Sequence, residues 1–307
     1  MNSRPARALL LFLDGVGIGG PDPTQNPVAA ARLPALDRLL GGRGALVGGI
    51  AEGAASARFT AIDATLGVAG LPQSGTGQTT LLSGTNAAEL LGHHFGPWVH
   101  TELRDMLARD NLLSRAARAG RVSAFANAYP SLFLNDRSGR SLRRPAAPPF
   151  AARAAGVLVR DENDLRAGRA VASEIEHTAW RERLDPTLDP ITPAEAGAVL
   201  AHIACSADLT LFAHYATDTV GHTRDMAAAV SALERVDAFI GGLVEKVSED
   251  LLLVVTSDHG NIEDIGNSHT RNPVPLLAMG PGADQLVNQV DSIVDVAPSM
   301  LRLLSIN

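Results

Sequence analysis

Residues 251–264 read LLLVVTSDHGNIED. Five apolar residues run into Thr256-Ser257-Asp258-His259-Gly260-Asn261, so a greasy strand ends in a carboxylate, an imidazole and a glycine. Packing alone gives no reason to set an acid beside a histidine at the tip of a buried strand. In open α/β sheets, ligands bind at the carboxyl ends of the strands. The tip of this strand is therefore the first place to look for chemistry.

Working outward, short apolar runs followed by glycine, polar residues and helical patterns recur, which is the signature of an α/β protein. Strands are expected at Ala8–Leu13, Val122–Asn127, Leu209–His214, Leu251–Thr256 and Pro275–Met279. They are continuous apolar runs rather than alternations, as parallel strands covered on both faces require. Helices are expected over Glu102–Ala119, Pro193–Ala204 and Met226–Val247, the last with apolar residues at helical spacing. The pattern predicts a three-layer α/β/α sandwich around a mostly parallel sheet. Residues 131–192 are richer in Arg, Pro and Ala and poorer in strand-like runs. They are expected to form a small inserted cap, leaving 1–130 and 193–307 as the catalytic core. The Ala/Gly-rich segment 41–56 reads as loop and turns.

Composition narrows the function. At 307 residues, 46% hydrophobic and 19% charged, the chain can fill one large core, and with only 4% aromatics that core is mostly aliphatic. A formal net charge of -7 argues against general nucleic-acid binding. One cysteine, Cys205, excludes an intramolecular disulfide and any multi-Cys metal site. The apolar run Ala8–Leu13 is too short for a signal peptide, and no run approaches a membrane span. A soluble cytoplasmic protein is expected, with no nucleic-acid or membrane partner.

Four places beside the expected strands carry metal-type side chains. Asp14 ends the first strand; "HYATDTVGH" offers Asp218 and His222; Asp258-His259 end the fourth; and His269 precedes the last. A lone Asp at a strand end is commonly a cap or turn residue, and His222 alone reads as a loop histidine. Six such residues beside four strands make coincidence the poor explanation. Carboxylates mixed with neutral imidazoles suit Zn²⁺ or Mn²⁺. Ser74, in "GLPQSGTGQTTLLSGTNAA" (70–88), starts a helical pattern. It reads either as an N-cap or as a nucleophile whose alkoxide is eased by helix amides and a metal, and the two roles can coexist.

These motifs resemble the alkaline phosphatase superfamily, in the metalloenzyme branch that holds cofactor-independent phosphoglycerate mutase and phosphopentomutase. "DGVGIG" is similar to the branch's opening Asp-Gly motif, and "SGTGQ" to its nucleophile segment. "HYATDTVGHTRD", "SDHGNIED" and "HTRNPVP" resemble its Asp-x-x-x-His, Asp-His-Gly-Asn and His-Thr-x-Asn-Pro-Val-Pro motifs, all in family order. The resemblance implies two divalent metal ions, Mn²⁺ or Zn²⁺. One would be held by Asp14, Ser74, Asp258 and His259, the other by Asp218, His222 and His269. It also implies a phosphoseryl intermediate on Ser74 and a small-molecule phosphoester substrate. Gly260 is expected to let the backbone turn tightly after the two adjacent ligands.

Two departures bear on the reaction. Where the mutases carry His four residues after the nucleophile, this chain has Gln78, which can hydrogen-bond a substrate oxygen but cannot shuttle a proton. The insert is also small, whereas a mutase must shield its substrate from water while it reorients. The size of the insert favours hydrolysis, of the phosphatase or phosphodiesterase kind, over the alternative of a phosphomutase on a phosphosugar or phosphoglycerate. Sulfatase action is disfavoured because "SGTGQ" lacks the Pro-x-Arg pattern, and a catalytically silent binding module because the whole ligand set is present. Secondary candidates are the arginines 137, 140, 143 and 144 as anion holders or a solvated face, and Asn127 and Tyr129 as pocket lining or turn. His93 and His94 read as rim residues or structural ones, His214 as support for the ligands, and Thr76 and Thr79 as competing nucleophiles.

Overall fold

The computed structural model describes residues 4–49, 55–134 and 144–306, and residues 137, 140 and 143 of the arginine cluster lie outside these. Six strands build one sheet: β1 (Arg7–Leu13), β2 (Arg58–Ile62), β3 (Ser123–Phe125), β4 (Leu209–His214), β5 (Leu251–Ser257) and β6 (Val274–Met279), in the order β2-β6-β5-β1-β4-β3. The helices that bear on the site are α1 (Pro34–Leu40), α2 (Ser74–Ser83), α3 (Arg104–Arg109), α4 (Leu112–Arg118), α5 (Ala147–Ala154), α6 (Pro193–Cys205), α7 (Ala216–Gly221) and α8 (Met226–Val244).

Side chains alternate across β1. Ala8, Leu10 and Phe12 enter a core shared with α2, α4 and α5, while Leu9, Leu11 and Leu13 enter a second core shared with α1, α6 and α8. That alternation makes three layers. Leu9, Leu10 and Leu11 have no solvent exposure, and each buried leucine contributes about 1.5–3 kcal/mol of transfer free energy. Asp237 on α8 is also buried, and its carboxylate accepts the free amides of Ala35 (3.0 Å) and Leu36 (2.8 Å), capping α1 from a neighbouring helix.

β1 pairs in parallel with β4 and β5, and β3 with β4. The Pro275–Met279 strand, expected to be parallel, is antiparallel to β5, and β2, for which no strand was expected, pairs antiparallel with β6 at the edge. β2 escaped the sequence reading because it is short and its first four residues are only partly covered. The reversal of β6 matters for the site. The end of β5 and the start of β6 lie at the same edge of the sheet, and residues 258–273 between them stay where the parallel strands deliver their carboxyl ends.

The single helix expected over Glu102–Ala119 is broken. Asn111 takes an extended conformation, and its side chain accepts from Leu113 N and Ser114 N, both at 3.0 Å, so a new helix starts at Leu112. Asx side chains compete with the helical backbone in this way. β3 likewise stops before Asn127, whose amide carries on the pairing: Nδ2 donates to Ala213 O at 2.7 Å and Oδ1 accepts from Ala213 N at 2.8 Å. Asn127 is a strand clamp.

Candidate metal centre

Asp14 leaves β1, Asp258 and His259 leave β5, and α7 carries Asp218 with His222 just beyond its end. His269 sits in the loop before β6. Asp14, Asp258 and His259 offer ligand atoms within 4.8 Å of one another, and so do Asp218, His222 and His269. His259 Nε2 lies 3.4 Å from Asp14 Oδ1 and 3.7 Å from Asp258 Oδ2. His269 Nε2 lies 3.6 Å from Asp218 Oδ1 and 3.3 Å from His222 Nε2. The groups adjoin, because the His259 and His269 rings stack with centroids 4.1 Å apart. Ser74 completes the set: its Oγ is 3.0 Å from His259 Nε2. All seven side chains named from the sequence converge.

Ser74 is the first residue of α2, and the capping position belongs to Gln73, whose side chain makes no cap bond. The N-cap reading therefore gives way to a hydroxyl aimed at His259. Gly75 and Gly77 let this helix start seat closely. A Cβ on Gly75 would overlap the Trp98 carbonyl, and one on Gly77 would meet the Asp258 carbonyl at 2.8 Å. Thr76 and Thr79 turn their hydroxyls to backbone carbonyls, Gln73 O at 3.1 Å and Gly75 O at 2.6 Å, and neither faces the centre.

Neighbours hold the candidate ligands in place. Gln78 Nε2 donates to Asp14 Oδ2 at 3.0 Å, so the residue that replaces histidine here steadies a carboxylate. His269 Nδ1 donates to Pro72 O at 2.7 Å, which leaves Nε2 as an acceptor facing Asp218. His214 acts differently from expectation. Its ring bonds Ser173 O at 2.7 Å, and only its backbone carbonyl reaches the centre, accepting from Asp14 N at 2.9 Å. Tyr129 meets the Tyr215 hydroxyl at 3.3 Å, His93 and His94 line a shallow cleft beside Gln73, and Arg144 lies over the Trp98 ring at 4.3 Å. Gly260, expected for a tight turn, has no left-handed φ; a Cβ there would overlap Thr270 Oγ1 and Glu263 Oε1.

Asn261 and Glu263 were missed. Asn261 Nδ2 donates to Asp218 Oδ1 at 2.6 Å, and Glu263, 1% exposed, accepts from Gly17 N in the loop after β1 and from Asn261 and Asn272 in its own loop. Their signal was on view in "DHGNIED", as polar residues continuing past the two ligands, but no partner for them is near in sequence.

Buried carboxylates dominate the electrostatics. Burial raises the pKa of Asp14; burial and then the Asp14 charge push Asp258 well above the carboxylate range. Burial opposes a charge on His259, yet the Asp258 and Asp14 carboxylates outweigh it and lift the imidazole to about 10. His269, buried and facing His259, is pushed down to about 4. Asp14 Oδ1 and Asp258 Oδ2 are buried and accept no hydrogen bond. Carboxylates left so are costly unless a cation joins them. The mixed oxygen and nitrogen donors fit a divalent ion. The Asp14 group is sealed, whereas the His222 side chain is 46% exposed, so the centre opens on the Asp218 side.

The fold is an α/β/α sandwich whose strand ends bring together two groups of residues able to hold metal ions. Residues 194–307 match the Metalloenzyme superfamily model. The 2,3-bisphosphoglycerate-independent phosphoglycerate mutases of Natronomonas pharaonis and Halobacterium salinarum are 36% identical over 159 residues and 35% identical over 158. Each match takes in 47% of this chain and 31% of the mutase, so the chain spans about a third of the curated relatives' length. In fold, the chain is similar to the alkaline phosphatase of the Antarctic bacterium TAB5 (TM-score 0.58, 13% identity, 100% of both chains). It is also similar to phosphoglycerate mutase of Leishmania mexicana (TM-score 0.51, 14% identity, 99% of this chain and 96% of that one). The sequence match is thus confined to part of the chain, and the likeness to the two solved structures is one of fold. Among the described residues no helix is long and apolar enough to cross a membrane.

Proposed function

We propose that the protein is a metal-dependent phosphoryl-transfer enzyme that works through a phosphoseryl intermediate on Ser74. The observation that carries this reading is the meeting of three carboxylates and three imidazoles in two adjoining groups, with Ser74 Oγ 3.0 Å from His259 Nε2 of one of them. Asp14, Asp258 and His259, with Ser74, would hold one divalent ion, Mn²⁺ or Zn²⁺, and Asp218, His222 and His269 a second. Bound there, the ions would favour the serine alkoxide and neutralise charge developing on the phosphoryl oxygens. The chain's part is placement. Ser74, fixed at the start of α2, presents Oγ for in-line attack on phosphorus; the new O–P bond forms as the ester's O–P bond breaks. The α2 amides favour negative charge at that end. Gln78 keeps Asp14 oriented.

What happens to the phosphoserine separates two readings. Attack by water releases inorganic phosphate and makes the enzyme a hydrolase. Gln78 and the small size of the 131–192 insert, part of which (Ala147–Ala154) packs into the core, support that outcome, since Gln78 supplies no proton shuttle and so short an insert leaves little to shut out water. Attack by another hydroxyl of the same substrate yields an isomeric phosphate ester. The likeness to the phosphoglycerate mutases supports this phosphomutase reading at least as well. The substrate is a small phosphoester, and we place the work in the cytoplasm.

The test combines metal analysis with product analysis. The chain is incubated with Mn²⁺ or Zn²⁺ and a panel of phosphomonoesters, diesters and phosphosugars. Stoichiometric inorganic phosphate supports the hydrolase, and an isomeric ester the mutase. Ser74→Ala should still bind metal and lose turnover by at least about a thousandfold, as for removal of other nucleophiles. A Ser74→Ala protein that keeps its activity sinks the phosphoserine step.

A further inference from the structure

We infer that Glu263 is the positioning residue that joins the two cation groups into one cooperative centre; the inference rests on the metal-holding reading above. Its carboxylate is 1% exposed and takes neutral donors on both oxygens. Oε2 accepts from Gly17 N at 2.9 Å, in the loop that follows Asp14, and from Asn261 N at 2.7 Å, just past His259. Oε1 accepts from Thr270 Oγ1 and from Asn272 Nδ2 at 3.0 Å, beside His269. Asn261, held by that bond, gives its own side chain to Asp218.

One carboxylate thus grips the loops that carry ligands of both groups. When an ion settles Asp14, Asp258 and His259, the loops from Gly17 and Asn261 settle with them, and through Glu263 so do Asp218 and His269. The backbone is built around this group. A Cβ on Gly17 or on Gly260 would overlap the Glu263 carboxylate, so glycine stands at both places. Among polar neighbours that orient metal ligands, loss of one typically weakens metal binding by about 10–100-fold. A coupling between two sites is also reciprocal, so its removal shows in the binding of both ions.

The substitution Glu263→Gln tests the charge with little change of shape. The new amide can turn toward Thr270 and Asn272, whose hydroxyl and side-chain amide are able to accept, leaving the oxygen for Gly17 N and Asn261 N. Metal-free whole chain is titrated calorimetrically with Mn²⁺. Wild type is expected to take two ions with a Hill slope above one. E263Q is expected to bind about 10–100-fold more weakly and with the slope reduced to one. Asp237→Asn serves as a control, because it alters another buried carboxylate that accepts two amides away from the centre. It should lower the melting temperature yet leave the Mn²⁺ titration unchanged. An E263Q titration that matches wild type in affinity and slope overturns the inference. Should E263Q fail to fold by circular dichroism, Thr270→Val removes one arm and must weaken Mn²⁺ binding; a wild-type titration from that variant overturns the inference equally. Wild-type protein that takes up no Mn²⁺ overturns the metal reading, and this inference with it.

Discussion

Ser74, Gln78 and Asp14 form a short chain of dependence: a hydroxyl beside His259, and an amide that holds the carboxylate facing the same imidazole. Truncating Gln78 to alanine removes the hydrogen bond to Asp14 Oδ2 without touching a ligand. We expect Gln78→Ala to weaken Mn²⁺ or Zn²⁺ binding by about tenfold, read by competition with a chelator. Unchanged affinity would mean that Asp14 needs no such support. Replacing Asp258 by asparagine should do more, since it removes a charge that a divalent ion requires, and metal analysis should find the Asp14 group empty. At this scale the sequence was highly legible. Metal-type side chains at strand ends announce themselves through residue type and place. Gln78 was legible only as a departure; its contact with Asp14 joins residues far apart in the chain, and spacing is silent on that.

Elements were legible where the apolar pattern was strong. β4 and β5 lie as expected, and α6 and α8 within a few residues, because continuous apolar runs and helical periodicity report burial directly. Apart from β2, which is short and only partly covered, the misses came from a local pattern overridden by one polar side chain or by pairing direction. Asn111 split a helix by capping its own downstream amides, and Asn127 ended β3 while continuing its hydrogen bonds. Each yields a stability test by denaturant unfolding. Asn111→Ala should cost about 1 kcal/mol, the ordinary worth of an N-cap. Asn127→Ala should cost about 1–3 kcal/mol, because Ala213 N and O then stay buried without partners. If Asn127→Ala unfolds with the wild-type midpoint, the clamp contributes nothing. The direction of β6 had no signal in its apolar residues, since strands buried on both faces look alike in either sense.

Stability of the whole metal-free molecule should depend on pH through the charges gathered around His259. A base whose pKa is raised by folding stabilises the fold at low pH and loses that contribution as pH rises through the folded value. His259 is lifted from 6.5 to about 10 in the metal-free chain. Between those values the folded state keeps a proton that the unfolded state has released, so stability falls as pH rises. Below 6.5 the effects oppose: the raised Asp14 and Asp258 favour lower pH, whereas His269 and His214, both pushed down to about 4, favour higher pH. The expected result is a melting temperature of metal-free protein that drops from neutral pH toward pH 10. Adding Mn²⁺ or Zn²⁺ should raise it most at the alkaline end, where ligands are deprotonated. A metal-free melting temperature that climbs over this range would contradict the assigned charge balance around His259.

By itself the sequence determined the class of fold and the strands that matter, and its residue types marked six metal-type side chains at strand ends, with Ser74 joined to them by the family resemblance. Only the tertiary structure decided that β6 runs backward, returning His269 to the edge where β5 ends, that Gln78 serves Asp14, and that Glu263 ties the ligand loops together. Those facts depend on distances between remote parts of the chain. Such distances are set by the packing of all three layers at once.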